Sequence, residues 1–317
     1  MKKYPQKLAL VVPCYNEEAV LNVAIPKMKA LLGRMLSLQL ISDYALVLVD
    51  DGSKDTTWAI IEAAHETDVR LKGLKLATNV GHQKALLAGL VHAKELADMV
   101  ISIDCDLQDD IEAIPKMVEK CYEGFDVVYG VRNSRETDSF FKRNTALAFY
   151  HLMDILGVKM VYNHADFRLM SKRAVEHLAS FREQNLFLRG LVPLVGYQSA
   201  EVYYDRHERA AGTSKYPFRK MLNFAIDGIT SFSVKPVRLV FTLGLVFILI
   251  AIAILIYAIV SYLSGRVVEG WTSLILSIWS VGGCVLIGLG VIGEYIGKIY
   301  IEVKDRPRFN VEKFLNE

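Results

Sequence analysis

Ile101–Asp110, ISIDCDLQDD, is an apolar run that stops at Asp104 and continues into Asp106, Gln108, Asp109 and Asp110. A strand that ends in carboxylates spaced two apart sets oxygen ligands at the carboxyl edge of a sheet, where open α/β folds bind their ligands. These are hard donors, suited to Mg²⁺ or Mn²⁺ holding a diphosphate.

Working outward, strand-like runs at Leu8–Val12, Ala45–Val49, Leu71–Leu76, Met99–Ile103 and Asp126–Tyr129 alternate with helical patterns such as Val20–Met35 and Gln83–Leu96. That alternation predicts an α/β fold, a mostly parallel sheet with helices on both faces. Polar clusters at Cys14–Glu18, Asp50–Asp55, Asn79–Lys84 and Asp104–Asp110 follow these runs, so four loops converge on one crevice. Neither G-x-G-x-x-G after the first strand nor G-x-x-x-x-G-K-[ST] occurs, which argues against a dinucleotide dehydrogenase or a P-loop ATPase. Further on, helical patterns at Ser139–Leu156 and Lys172–Phe181 surround Asp166-Phe167-Arg168, and a strand at Ala200–Tyr204 leads into a basic loop, Glu208–Tyr216.

The 317-residue chain is 52% hydrophobic, and the excess sits at the C-terminal end. No residue between Arg238 and Arg266 is charged, nor any between Glu269 and Glu294, and each gap is long enough for a helix to cross a bilayer. The expectation is a hairpin of two transmembrane helices, at about 239–263 and 271–293 within 236–298. Before it lies an amphipathic interfacial helix over 216–235, and after it a tail over 299–317. Basic residues flank the pair on its outer sides: Arg219, Lys220, Lys235 and Arg238 before it, and Lys298, Lys304, Arg306 and Arg308 after it. The short connecting loop carries only Arg266 against Glu269, so the large domain of residues 1–215 and both termini are expected in the cytoplasm, on a cytoplasmic membrane. Four scattered cysteines fit a reducing compartment, and a net charge of +2 gives no footprint for nucleic acid. Glycines 282, 283, 288, 290, 293 and 297 give the second span a small-residue face, from which a homo-oligomer is expected.

With VVPCYNEE at 11–18, VDDGSKD at 49–55, NVGHQKA at 79–85 and DCDLQ at 104–108, the chain resembles the inverting family 2 glycosyltransferases of GT-A fold. DFRLMSKR at 166–173, AGTSKY at 211–216 and GEYIGKIYIEVKDRPRF at 293–309 are similar to the polyisoprenyl-phosphate branch of that family, the bactoprenol glucosyltransferases and relatives of dolichyl-phosphate mannose synthase. The resemblance implies transfer of one sugar from a nucleotide sugar to undecaprenyl phosphate, with inversion at the anomeric carbon. Glucose from UDP-glucose is the expected donor, and N-acetylglucosamine and other sugars are the alternatives.

The resemblance also assigns roles. Pro13, Tyr15 and Glu17 are expected to line the nucleoside pocket, Asp51 to accept a hydrogen bond from the base and Asp50 to support the loop. Asp106 and Gln108 are the expected metal ligands and Asp104 the donor ligand, with Asp109 and Asp110 starting the next helix. The acceptor is a phosphate monoester with a second pKa of about 6, already largely ionised near neutrality. A crevice lined by aspartates therefore needs arginines to receive it, and Arg132, Arg143, Arg168 and Arg209, with Ser214 and Lys215, are the candidates. Asp166 is the candidate catalytic carboxylate, acting by orientation and electrostatics. His82 and His164 are read as packing or loop residues. A processive polysaccharide synthase would carry Gln-x-x-Arg-Trp before its membrane segments, and none of Trp58, Trp271 and Trp279 stands in such a setting. A membrane-tethered, non-catalytic nucleotide-sugar-binding subunit is the alternative of another class.

Overall fold

The computed structural model describes residues 5–133, 164–184, 186–205, 235–264 and 270–316. Of these, the residues up to 205 and those from 305 onward form one compact unit, and residues 235–304 form a second. The helix expected at 139–156, and all but the last residue of the one expected at 216–235, lie outside the described residues.

In the first unit, β1 (Lys7–Cys14), α1 (Glu18–Ser37), β2 (Asp43–Asp50), α2 (Thr57–Thr67), β3 (Leu71–Leu76), α3 (His82–Ala93) and β4 (Met99–Ser102) alternate as expected. They are followed by a short 3-10 turn at Ile111–Ala113, α4 (Ile114–Glu123), β5 (Val127–Arg132), β6 (His164–Ser171), α5 (Lys172–Ser180), α6 (Leu188–Leu194) and β7 (Ser199–Tyr204). The sheet has eight strands in the order β7-β5-β6-β4-β1-β2-β3-β8, where β8 is Val311–Leu315. The pairs β4-β1, β1-β2, β2-β3 and β5-β7 are parallel, whereas β6 is antiparallel to both its neighbours and β8 is antiparallel to β3. The α/β expectation of a mostly parallel sheet is met.

The central strands read as continuous apolar runs because both their faces are covered: seven of the eight residues of β1 are buried. On α1, Val20, Leu21, Ala24, Ile25, Met28, Leu31, Leu32 and Met35 form the buried stripe that helical spacing predicts. Helix α3 is buried over most of its surface, and Gly89 lets it sit against β1 and β2. A Cβ at Gly89 would lie 2.4 Å from Val11 Cγ1 and 2.7 Å from Val49 Cγ2, on β-branched side chains that cannot swing aside. Overpacking of this kind costs about 1–3 kcal/mol, against about 1 kcal/mol gained from alanine's better helix propensity. Gly89→Ala should therefore lower stability by on the order of 1 kcal/mol, read from the chemical-denaturation midpoint of the full chain. An unchanged or raised midpoint would show that the interface relaxes.

The tail does more than follow the long apolar helices. Asn310 O accepts from Ala77 N at 3.0 Å, β8 then pairs along β3, and Lys75–Glu312 and Lys313–Glu62 contacts, both 2.8 Å, flank the strand. Arg308 Nη1 donates to Phe181 O at 2.7 Å and Gln184 Nε2 to Arg306 O at 2.7 Å, tying the tail to the segment that precedes α6.

In the second unit, α7 (Lys235–Leu263) and α8 (Trp271–Val303) are long helices, and α8 runs ten residues beyond its expected end at 293. Among the described residues one stretch, Ser280–Val303, is long and apolar enough to cross a membrane. Its side chains lie open, Leu286 being 70% exposed, unlike those of a core helix.

Candidate active site

Parallel pairing puts the loops after β1, β2, β3 and β4 on one edge of the sheet, and hydrogen bonds lace the first two together. Asn16 N donates to Ser53 Oγ at 3.0 Å, Glu17 N to Thr57 Oγ1 at 2.9 Å and Lys54 N to Asn16 Oδ1 at 2.9 Å. Pro13 is buried at the end of β1, Glu17 is half-buried and the Tyr15 ring is exposed above them. Gly52 has a positive φ of 64°, and a Cβ there would meet Asn79 N at 2.6 Å, so glycine is what lets the second and third loops touch.

Both aspartates of that loop hold loop backbone, Asp50 within its own loop as expected and Asp51 across to the next. Asp51, expected to face the base, accepts from Val80 N at 2.8 Å, from Gly81 N at 3.0 Å and from Asn79 Nδ2 at 3.0 Å, so it is Asp51 that braces the third loop. Asp50 Oδ1 accepts from Ser53 N at 3.1 Å, while Asp50 Oδ2 is buried with no hydrogen-bond partner among the described residues. Burial raises the pKa of both carboxyls.

Along the acidic loop exposure alternates. Asp104, Asp106, Gln108 and Asp110 reach the solvent side, and Cys105, Leu107 and Asp109 turn into the protein. Asp106 Oδ1 accepts from Gln108 N at 3.1 Å, and the positive φ of Leu107 (54°) makes the turn. Among the described residues, no three His, Cys, Asp or Glu side chains form an ion cage. Two carboxylates and an amide on one open side nevertheless fit the sparse protein contribution to a Mg²⁺ or Mn²⁺ site, where diphosphate and water supply the remaining ligands.

Asp110 caps the 3-10 turn through Glu112 N at 3.0 Å, as expected of a residue that starts a helix. Asp109 does not share that role. It is buried and accepts from Arg132 Nη2 at 2.9 Å and Tyr204 Oη at 2.5 Å. Arg132, expected to meet the acceptor phosphate, is thus directed toward Asp109, whose charge helps raise its pKa despite burial.

Asp166 reaches the same edge because β6 runs antiparallel to β4 with Ser102 opposite Arg168; extended by two residues, that register sets Asp166 opposite Asp104. Ser102 Oγ donates to Asp166 O at 2.5 Å, fixing the backbone there. Around the buried carboxylate, Arg168 Nη2 holds Oδ1, while Oδ2 lies 3.3 Å from Arg189 Nη2, 3.4 Å from Gln83 Nε2 and 3.4 Å from His82 Nε2. His82 Nε2 is also 3.6 Å from Asp104 Oδ1, so the imidazole stands between the two carboxylates.

Burial alone would raise the Asp166 pKa, but Arg189, the His82 hydrogen bond and Arg168 together hold it well below the ordinary carboxylate range. Burial opposes charge on His82 as well, yet Asp166 and Asp104 win and raise it to about 9. Asp104 is raised to about 6 by crowding of protein and by Asp166, Asp109 and Asp106, with His82 acting the other way. Water still reaches 39% of its side chain and tempers these effects.

Two expectations are corrected here. Arg168 is 1% exposed and donates to Asp166 and, at 3.3 Å, to Leu188 O, so it is sealed from any acceptor and braces Asp166 instead. His82 is not a packing residue. The signal for it was available, since it follows the third strand at the same edge as the other motifs. Nothing local marked Arg189, which the turn from β6 through α5 into α6 brings back to Asp166. Arg143, Arg209, Ser214 and Lys215 lie outside the described residues, as does the side chain of His164.

Residues 9–179 match the family described as Glycosyl transferase family 2. The Bacillus subtilis (strain 168) glycosyltransferase YkoT is 53% identical over 98% of this chain and 93% of its own length. The SfII prophage-derived bactoprenol glucosyl transferase of Shigella flexneri is 42% identical over 97% of this chain and 98% of its own. The prophage bactoprenol glucosyl transferase homolog of Escherichia coli (strain K12) is 41% identical over 97% and 99%.

Proposed function

The chain belongs to glycosyl transferase family 2, and from that premise we propose that it transfers one sugar, with inversion, from a nucleotide sugar to the phosphate of undecaprenyl phosphate. The product is a lipid-linked monosaccharide for cell-envelope glycosylation. Relatives named bactoprenol glucosyl transferase, aligned over nearly their whole length, support both the acceptor and UDP-glucose as donor.

The observation that carries the reading is the Asp166 cluster, a carboxylate kept ionised by two guanidiniums and an imidazole directly across the sheet edge from Asp104. A carboxylate with a lowered pKa is a weak base, which suits an acceptor that arrives ionised and has little proton to give. Asp166 instead orients the cations around it and faces the positive charge that develops at the anomeric carbon. Asp104 holds the donor, the nucleoside rests on Tyr15 with Pro13 and Glu17 below it, and Asp50 and Asp51 shape the adjoining wall. Asp106 and Gln108 would hold Mg²⁺ or Mn²⁺, whose chemistry is to neutralise the departing diphosphate.

We extend the membrane reading to both long helices. Alpha-helix α7 carries no charge after Arg238, and a Cβ on Gly288 of α8 would come within 3.1 Å of Val240 Cγ1, as in a packed antiparallel pair. A two-span hairpin of this kind, with the basic flanks inside, keeps the catalytic unit in the cytoplasm beside the lipid headgroups. Self-association through the glycine face of α8 belongs to the same reading.

The test is a donor panel with purified full-length protein and undecaprenyl phosphate. Glucosyl transfer from UDP-glucose, with UDP released only when the lipid phosphate is present, is the expected result. Transfer from UDP-N-acetylglucosamine alone would change the sugar. No transfer from any donor, with nucleotide sugar still bound, would favour the non-catalytic binding subunit.

A further inference from the structure

We propose that His82 is a positioning residue for the transfer: its ring clamps the donor carboxylate Asp104 to the catalytic carboxylate Asp166, so that the bound sugar and the charge that assists its departure keep one geometry. The inference rests on the transfer reading above and deepens it by giving a role to a side chain of the third loop.

Asp104 and Asp166 come from different segments, the loop after β4 and the start of β6, and the register sets them opposite each other at the sheet edge. Two facing carboxylates repel, which drives them apart or forces a proton onto one of them. His82 Nε2 lies 3.6 Å from Asp104 Oδ1 and 3.4 Å from Asp166 Oδ2, within ion-pair range of both, and sets two attractions against that one repulsion. Asp166 has Arg168 and Arg189 besides. Among the described residues His82 is the one basic side chain in ion-pair range of Asp104, so the tie between the donor carboxylate and the cluster runs through this ring.

The ring stands on a fixed stem. Asp51 accepts from Val80 N and Gly81 N at 2.8 and 3.0 Å, which anchors the two residues before His82, and Ala85 N donates to Gly81 O at 3.1 Å to open α3. On the other side Gln83 Nε2 lies 3.4 Å from Asp166 Oδ2 while Gln83 Oε1 accepts from Leu188 N at 3.0 Å. The first turn of α3 is therefore fastened on both sides of His82. Besides the two clamped carboxylates, Arg189 of α6 and Asp51 of the second loop face the ring, with opposite signs. Against burial, Asp166 and Asp104 raise its pKa to about 9, so the ring is charged near neutrality. A flat imidazolium close to its backbone holds distance as well as charge.

Initial rates of the full-length protein give the functional test, with UDP-glucose and a short-chain polyprenyl phosphate varied separately. His82→Ala should lower kcat by about 10²-fold, the scale for losing a placed charge or about 1 Å of alignment. It should raise KM for UDP-glucose by about 10-fold and leave KM for the lipid phosphate within about 2-fold of wild type. His82→Lys, which keeps a cation, should recover part of the loss, and neutral His82→Gln should recover less. Wild-type rates in His82→Gln, or a fall in kcat with both KM values unchanged and no rescue by lysine, would overturn the proposal. A shift confined to the lipid's KM would overturn it by making His82 an acceptor ligand.

Magnetic-resonance titration of ring-labelled histidines in the protein without substrates separates the clamp from the transfer reading. The His82 signal, identified by its loss in His82→Gln, should titrate at a lower pH in Asp104→Asn and in Asp166→Asn than in wild type. If wild type transfers nothing yet both substitutions lower the titration, the transfer reading falls alone. An unchanged titration in Asp104→Asn, whose exposed side chain leaves the fold intact, sinks the proposal alone.

Discussion

Asp166→Asn should cut sugar transfer by about 10²–10³-fold, the usual cost of removing one preorganised charge from a reacting centre. The amide keeps the shape but gives up the anion that Arg168, Arg189 and His82 surround. With the carboxylate gone, Arg168 is left buried without a counter-charge, a loss worth about 3–5 kcal/mol of stability. Two measurements therefore belong together, turnover at saturating substrates and the denaturation midpoint. The catalytic role predicts that nucleotide-sugar binding survives in the folded variant while turnover collapses. Turnover close to wild type with both substrates bound normally would remove Asp166 from the chemistry.

Asp106→Ala should have a similar effect on rate and a much smaller one on folding. Its side chain is half-exposed and accepts a loop hydrogen bond from Gln108 N, a contact worth on the order of 1 kcal/mol. If Asp106 holds the ion, its loss forfeits several kcal/mol of charge stabilisation, about 10²–10³-fold in rate. Chelation of wild type should abolish transfer and added Mn²⁺ or Mg²⁺ restore it, whereas the variant should need far more metal for the same rate. Transfer by wild type that is indifferent to chelator, or wild-type metal dependence in Asp106→Ala, would count against the metal role.

How far the chain could be read from its letters depended on what each strand buries. Strands β1 to β4 announce themselves because both faces are apolar, and the polar loops after them mark the edge where the site lies. Strand β6 hides because its inward positions include an ion pair, Asp166 with Arg168, and DFRLMSKR lacks the apolar run that signals a buried strand. The same burial turned Arg168 from an expected phosphate ligand into a brace. Asp109 looked like a second helix-starting acid beside Asp110, and only the return of β5 and β7 shows that it is paired with Arg132 and Tyr204. Arg189 was illegible for a different reason: its partner Asp166 sits on another element, and no local spacing encodes a contact made by chain reversal.

The last strand has a consequence for biosynthesis. Strand β8 closes the open flank of β3, yet it is encoded after both apolar helices. On the ribosome the catalytic unit must therefore wait with an unpaired edge until residues 311–315 emerge, by which time the hydrophobic segment has already been made. An exposed edge is a template for mispairing with another chain. Completion of the enzyme's sheet is thus timed to follow its two apolar helices, and a nascent chain stalled before residue 311 would carry the motifs of the site on a sheet still able to aggregate.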